Sequence, residues 1–139
     1  VIITRAMSTT STNQAAQESV IKNHIRYAQA LAVKQGTIWG IKCNGTDYWL
    51  FRTNDPDTVS NQRALPGEEN VKVTLAGNNI TMSAFIVFFD AIGRPYTAYT
   101  DAINNTPANT ANPISITVNS VPAGVAVTFG ITPETGFMP

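Results

Sequence analysis

Apolar residues recur every three to four positions in the first quarter of the chain and every two positions after it. At 100° per residue, with Ile21 at zero, Tyr27, Val20, Leu31, His24, Ala28, Ile21, Ala32 and Ile25 share an arc of about 160°. That pattern predicts an amphipathic helix whose arc packs on the rest of the molecule, with Gly36 as its C-terminal stop. Upstream, residues 4–12 are crowded with Ser and Thr, which favour caps over helix interiors. Ser11 followed by Gln14 matches a capping box, so the helix is expected to start or restart near Thr12. The opposite face carries Arg26 and Lys22 with Ala15, Ala30 and Val33. Small residues there suit either plain helix propensity or a face that meets another subunit.

Beyond Gly36 the alternation predicts strands. Asn44-Gly45 reads as a two-residue type I′ turn. That register pairs Lys42 with Asp47, Ile41 with Tyr48, Gly40 with Trp49 and Trp39 with Leu50. It sets Trp39, Ile41, Cys43, Tyr48 and Leu50 on one face, with the Lys42 and Asp47 charges and Trp49, packed over Gly40, on the other. Residues 53–70 read as a loop. A second hairpin is expected from Val71–Leu75 and Ile80–Phe89, joined through Gly77-Asn78-Asn79. The run Ala84–Phe89 is apolar on both faces, as a covered central strand would be, and Gly93-Arg94-Pro95 ends it. Thr97–Asn112 reads as a polar excursion. Ile114, Ile116 and Val118 then alternate, as do Val125, Val127, Phe129 and Ile131, giving a terminal antiparallel pair. The order is α+β: a helix over residues 1–36 laid on the antiparallel β domain of residues 37–139, with about six strands and one core.

Composition narrows the setting. In 139 residues only 13% are charged, about half the usual share, while 18 Thr and 13 Asn supply neutral polarity, a balance common in β-rich secreted or surface proteins. Nine basic and nine acidic residues cancel, and Arg94 is the last basic one, so the field that would draw the chain to nucleic acid is missing. No run reaches the ~18 apolar residues of a membrane-spanning helix. Val1-Ile2-Ile3 reads like the cut end of something more apolar upstream.

Little in the chain suggests catalysis. His24 sits within the apolar arc without an evident nucleophile, which makes it a packed core or interface residue. Cys43 falls on the inward face as a small buried hydrophobe. Asp55, Asp57, Glu68 and Glu69 form the acidic cluster, without the alternating ligands and closing Glu of an EF-hand. No metal, cofactor or enzymatic activity is expected. Trp49, Tyr96, Tyr99 and the Asn/Thr-rich surface support an alternative, a secreted β-rich binding or adhesion module.

Three segments in order resemble the H-type minor pseudopilins and MSHA-type minor pilins of the type IV pilin superfamily. His24–Gly36, continuing to Ile41, is similar to that family's "aRs-A" helix and following strand. Phe89-Asp90-Ala91-Ile92-Gly93-Arg94-Pro95 is similar to its F-x-x-x-G-R-P strand end, and Thr132-Pro133-Glu134-Thr135-Gly136-Phe137 to its closing x-P-x-T-G-x segment. Phe89, Gly93, Arg94, Pro95, Pro133, Thr135 and Gly136 therefore carry the likeness. The family's basic leader, prepilin peptidase site and apolar anchor would lie upstream of Val1, Ile2 and Ile3, and Thr97–Asn112 has no counterpart in its motifs.

The resemblance implies a non-catalytic subunit at or near the tip of a type II secretion pseudopilus or a type IV pilus. Its partners would be other pilins or pseudopilins of the filament, and the inner membrane through the upstream helix. The globular domain would lie in the periplasm, or outside the cell when in a pilus. Ala15, Arg26, Ala30 and Val33 would then form the assembly face, since small residues let helix backbones approach closely. Some related minor pilins bind DNA through basic residues near the C-terminus, which this chain lacks, so no nucleic acid is expected.

Overall fold

The helical periodicity becomes one long helix, α1, over Ile2–Gln35, 34 residues and therefore about 51 Å long. The computed structural model describes residues 2–75, 80–120 and 126–132, and side chains for 16–75, 80–119 and 126–132. The helix does not start at Thr12. Its backbone runs unbroken through the Ser/Thr-rich stretch, because each such residue costs only a few tenths of a kcal/mol once a helix is propagating. Gly36 ends it as expected, at φ +66°, with its N–H donating to the Ala32 carbonyl at 2.9 Å.

Among the described residues ten strands follow: β1 (Trp39–Cys43), β2 (Asp47–Arg52), β3 (Gln62–Arg63), β4 (Val73–Thr74), β5 (Ile80–Met82), β6 (Phe85–Phe89), β7 (Pro95–Tyr99), β8 (Asn105–Pro107), β9 (Ile114–Ser120) and β10 (Val127–Ile131). The larger sheet has the order β3-β2-β1-β6-β7-β8, with β4 also paired to β2; the smaller has the order β10-β9-β5. Helix α1 and the smaller sheet cover one face of the larger. The main core lies between them, from Ile21, Ile25, Ala28 and Ala32 on the helix to Ile41, Leu50, Val87, Phe89, Ile116 and Phe129 on the strands. On the other face Trp49, Phe51, Phe88 and Tyr96 make a second, aromatic cluster. The segment after β2 roofs it, with the Pro56 carbonyl accepting from Trp49 Nε1 at 2.7 Å and from Gln62 Nε2 at 3.1 Å.

The first hairpin forms in a different register. Ile41 pairs with Leu50, Lys42 with Trp49 and Gly40 with Phe51, a displacement of two residues from the Asn44-Gly45 expectation. The Asn44 carboxamide explains it. Its Oδ1 accepts from the Thr46 and Asp47 N–H groups at 3.0 and 2.9 Å, drawing Asn44 into the last pair and leaving Gly45-Thr46 at the tip. Of these two, Gly45 alone has positive φ, +104°. A slip of two preserves side-chain parity, so the expected faces survive and the two Trp lie on opposite sides. The cross-strand contacts do not survive: Lys42 pairs with Asp57 at 2.7 Å, not with Asp47, and Phe51, not Trp49, packs over Gly40.

The expected second hairpin is not one. β4 joins the larger sheet beside β2, while β5 joins the smaller beside β9. The apolar run from Ile80 breaks at Ser83-Ala84, where the Ser83 hydroxyl accepts from the Thr117 N–H at 2.9 Å and the Ser83 N–H donates to the Thr117 carbonyl at 2.9 Å. This lets β5 pair with β9 and β6 with β1. Gly77-Asn78-Asn79 lies outside the described residues. The apolar run of β6 is central between β1 and β7, as expected. The polar excursion is partly sheet: β7 and β8 form an edge hairpin whose turn is held by Asp101 Oδ1, which accepts from the Ile103 and Asn104 N–H groups at 2.8 and 2.7 Å. The terminal pair forms as expected between Ile114–Val118 and Val127–Ile131, with Ile116 opposite Phe129; Val125 lies outside the described residues.

Candidate functional site: the outer face of the helix

Among its described side chains helix α1 has a packed and an exposed face, with two departures from the sequence reading: Tyr27, expected in the packing arc, is exposed, and Lys22, expected on the opposite face, is half-buried over the Phe129 ring. Ile21, His24, Ile25, Ala28 and Ala32 are buried against the strands, while Ala16, Ser19, Asn23, Arg26, Ala30 and Val33 are exposed. The exposed set recurs at intervals of three and four, on an arc of about 100°. Arg26, Ala30 and Val33, expected from the sequence to share a face, do so, and Val33 is 52% exposed. Ala15 lies eleven residues before Arg26, about 20° from it by backbone register. Its side chain lies outside the described residues, as do those of Ile2 and Ile3; Val1, Pro133, Thr135 and Gly136 lie outside them altogether.

The turn from β6 to β7 rests against the edge of this face. Gln29 Nε2 donates to the Gly93 carbonyl at 2.9 Å, and a Cβ added to Gly93 would lie 3.3 Å from Val33 Cγ2. At φ +83°, Gly93 satisfies both the turn and the close approach. Asp90 shapes the turn. Its Oδ1 accepts from the Ile92 and Arg94 N–H groups at 3.0 and 2.9 Å, and its Oδ2 from the Tyr96 hydroxyl at 2.8 Å. Partial burial and then the Asp90 bond push the Tyr96 phenol up. Val33 and Gly93 are thus brought together, Phe89 and Pro95 are buried beneath, and Arg94 stays exposed. Sequence reasoning missed Asp90 and Gln29, although an Asp three residues before a Gly is a turn signal.

Among the described residues the inner face carries a polar node. His24 Nδ1 lies 2.9 Å from Tyr48 Oη, His24 Nε2 lies 3.3 Å from the Pro66 carbonyl oxygen, and Gln17 Nε2 donates to Tyr48 Oη at 3.3 Å. Because the Pro66 oxygen only accepts, Nε2 carries the ring proton, Nδ1 accepts from the Tyr48 hydroxyl, and the Tyr48 oxygen is left to receive Gln17. Desolvation holds the His24 imidazole below its ordinary value, against the opposing effects of the Pro66 bond and the Glu68 charge, and burial pushes the Tyr48 phenol well up. Gln17 and Tyr48 were not singled out for this node from the sequence; the polar Gln17 one turn before Ile21 is its trace there.

The other sequence-marked residues are structural. Cys43 is buried, and burial pushes its thiol up, away from a nucleophilic thiolate. Asp55 accepts from the Asp57 and Thr58 N–H groups at 3.0 and 3.3 Å, and Asp57 pairs with Lys42. Among the described residues no three His, Cys, Asp or Glu side chains converge as a metal site. Trp49 is 4% exposed, under Pro56 and between Lys42 and Lys72, and Tyr96 is buried, so neither ring offers a free stacking surface for sugars. No helix among the described residues is long and apolar enough to cross a membrane. No protein-family model, curated protein or solved structure matches the chain.

Proposed function

We propose that this chain is a non-catalytic minor pilin or pseudopilin subunit, incorporated at or near the tip of a type II secretion pseudopilus or a type IV pilus. The carrying observation is the helix that packs Ile21, Ile25, Ala28 and Ala32 against the sheets on one face while the other presents Ala16, Ser19, Asn23, Arg26, Ala30 and Val33 to the outside. Mostly short side chains over that arc allow a neighbouring helix to approach closely. The pilin-like Gly93 turn borders the same arc and leaves the Val33 side chain half exposed. On this reading the neighbours are other pilins or pseudopilins, the upstream segment anchors the precursor in the inner membrane, and the sheets face the periplasm or the cell exterior.

The test is Ala30→Arg, with Val33→Arg beside it, in the full-length precursor. Both positions are exposed, so the isolated domain should keep its circular dichroism spectrum and melt within about 2 °C of the parent, as surface substitutions usually do. Incorporation into purified filaments should be lost. Wild-type incorporation of both variants would sink the proposal.

A further inference from the structure

Between β3 and β4 the chain runs beside the helix and leaves an open trough. Two hollows make it: one of about 610 Å³ is lined by Gln17, Val20, Glu68, Glu69 and Val73, and one of about 500 Å³ by Val20, His24, Tyr27 and Pro66. Val20, Gly67 and Glu68 border both, so the hollows adjoin along residues 16–27, about 16 Å of helix.

The first hollow holds acceptors that no described residue uses. Tyr48 gives its hydroxyl proton to His24 Nδ1, which orients the Gln17 carboxamide with Nε2 towards Tyr48 and Oε1 away from it. Gln17 is 7% exposed, yet its Oε1 has no hydrogen-bond partner among the described residues. Among those residues Trp39 Nε1 alone is both unpaired and sealed from the surface, so Gln17 Oε1 opens into the hollow that Gln17 lines. Half-buried Glu68 and exposed Glu69 stand on the same hollow, and neither carboxylate has an ion pair among the described residues. The nearby cations are engaged elsewhere. Lys22 pairs with Glu18 at 2.9 Å, and Lys72 Nζ lies 4.7 Å from the centroid of the Trp49 ring, on the other face of the sheet.

An acceptor-rich hollow of this kind is complemented by a cation that brings several donors. No three acidic, His or Cys side chains converge as a metal site among the described residues, so the complement is an organic cation. A guanidinium suits it better than an ammonium. Its five N–H groups lie in one plane and can serve a carboxylate and an amide oxygen together, and its weak hydration lowers the cost of leaving water beside Val20 and Val73. The second hollow has a different character. Val20, Tyr27 and Pro66 make its wall, and the His24 Nε2–H on its floor is already taken by the Pro66 carbonyl, so it suits an apolar side chain. Gln17 and His24 are two turns apart on α1, about 10 Å.

We propose that the trough between α1 and residues 66–73 docks a helix of a partner protein, which sets an arginine against Glu68, Glu69 and Gln17 Oε1 and, two turns along, an apolar side chain between Val20, Tyr27 and Pro66. The site does not depend on the filament reading. Ala30 and Val33 lie outside it, so the two proposals fail separately.

The probe is an alanine- and glutamine-rich helical peptide of about 18 residues, acetylated and amidated, with one arginine and, two turns on, one leucine. Titrated at low salt into the isotope-labelled 139-residue chain, it should shift the Gln17 side-chain amide, the Val20 methyls and the 67–70 amides along one saturating nuclear magnetic resonance isotherm. The same peptide with citrulline, the neutral isostere of arginine, should bind about tenfold more weakly, the loss expected for a charge-assisted bond. Glu68→Gln with Glu69→Gln should weaken the arginine peptide by a similar factor and leave the citrulline peptide unchanged. The citrulline comparison needs no change in the protein, so the test stands even if that variant folds poorly. Four results would overturn the docking site: no saturable shift at several millimolar peptide, equal binding of the arginine and citrulline peptides, an arginine preference undiminished in the double variant, or a leucine that can be cut to alanine without loss. Butylguanidinium binding as tightly as the peptide would assign the hollow to a small free cation and overturn the partner helix.

Discussion

Replacing Gly40 with alanine would put a methyl group where the larger sheet has no space for one. Gly40 lies mid-strand in β1, paired with Phe51 on β2 and Phe88 on β6. An added Cβ would run into the Val87 carbonyl oxygen and lie 2.6 Å from Phe51 Cζ, against the 3.5–4.0 Å of a relaxed carbon contact. The Phe51 ring is itself held edge-on by Phe88, with centroids 5.2 Å apart. The carbonyl cannot retreat without loosening the β1–β6 ladder. This places Gly40→Ala at the upper end of overpacking costs, about 3 kcal/mol or more. At roughly 2.1 cal/mol/K of unfolding entropy per residue, 139 residues give ~0.29 kcal/mol/K, so the melting temperature should fall by about 10 °C. Calorimetry should include Gly130→Ala as the contrast. There a Cβ would meet the Ile114 carbonyl oxygen at an ordinary 3.6 Å, so that variant should match the parent or gain about 0.4–1 kcal/mol from a stiffer unfolded chain. Equal melting of the two variants, or a loss below about 2 °C for Gly40→Ala, would refute the packing of Phe51 over Gly40 and the hairpin register that creates it.

Three further outcomes are expected. Trp39 is buried and its Nε1 has no hydrogen-bond partner. Relief of an unpaired donor, about 1–3 kcal/mol, should therefore offset most of the packing lost in Trp39→Phe, leaving urea midpoints little changed. Trp49→Phe, which removes the 2.7 Å bond to Pro56, should cost clearly more. The Cys43 thiol, buried and pushed up, should resist maleimide in the folded chain at pH 8 and react once urea unfolds it. Because His24 is held below 6.5 in the fold, the unfolded chain binds its proton more readily. Stability should then fall as the pH drops below 6.5 and level off for this group beneath its folded value. Melting temperatures of parent and His24→Gln between pH 7.5 and 5 check this; an undiminished slope in the variant would assign the effect to carboxylates.

The outer helix face was legible early because exposure on a helix follows directly from period. Once the arc around Ile21 and Ile25 is committed to the core, Arg26, Ala30 and Val33 can only point away. The node behind it was less legible. His24 was placed in the packed arc, but Tyr48 lies 24 positions away and Pro66 lies 42 away, so nothing local announces that they meet. Asp90 falls between these cases: its turn is local, while its bond to Tyr96 depends on β7 folding back beside β6.

The alternation of β1 and β2 by itself assigned every side chain of the hairpin to its face, and a two-residue error in register changed none of those assignments. Side-chain parity is a property of the strand alone. Which strand lies beside which is a property of the whole core. Val71–Leu75 and Ile80–Phe89 looked like partners because they are neighbours in sequence, yet β4 completes the edge at β2 and β5 the edge at β9. Likewise the Asn/Thr-rich stretch after Tyr96 lacks an apolar pattern, but the larger sheet's open edge gives it a ladder to join at β8. A period reports only which way each residue points. Pairing is settled by which backbone groups and apolar faces are still unsatisfied when distant segments meet.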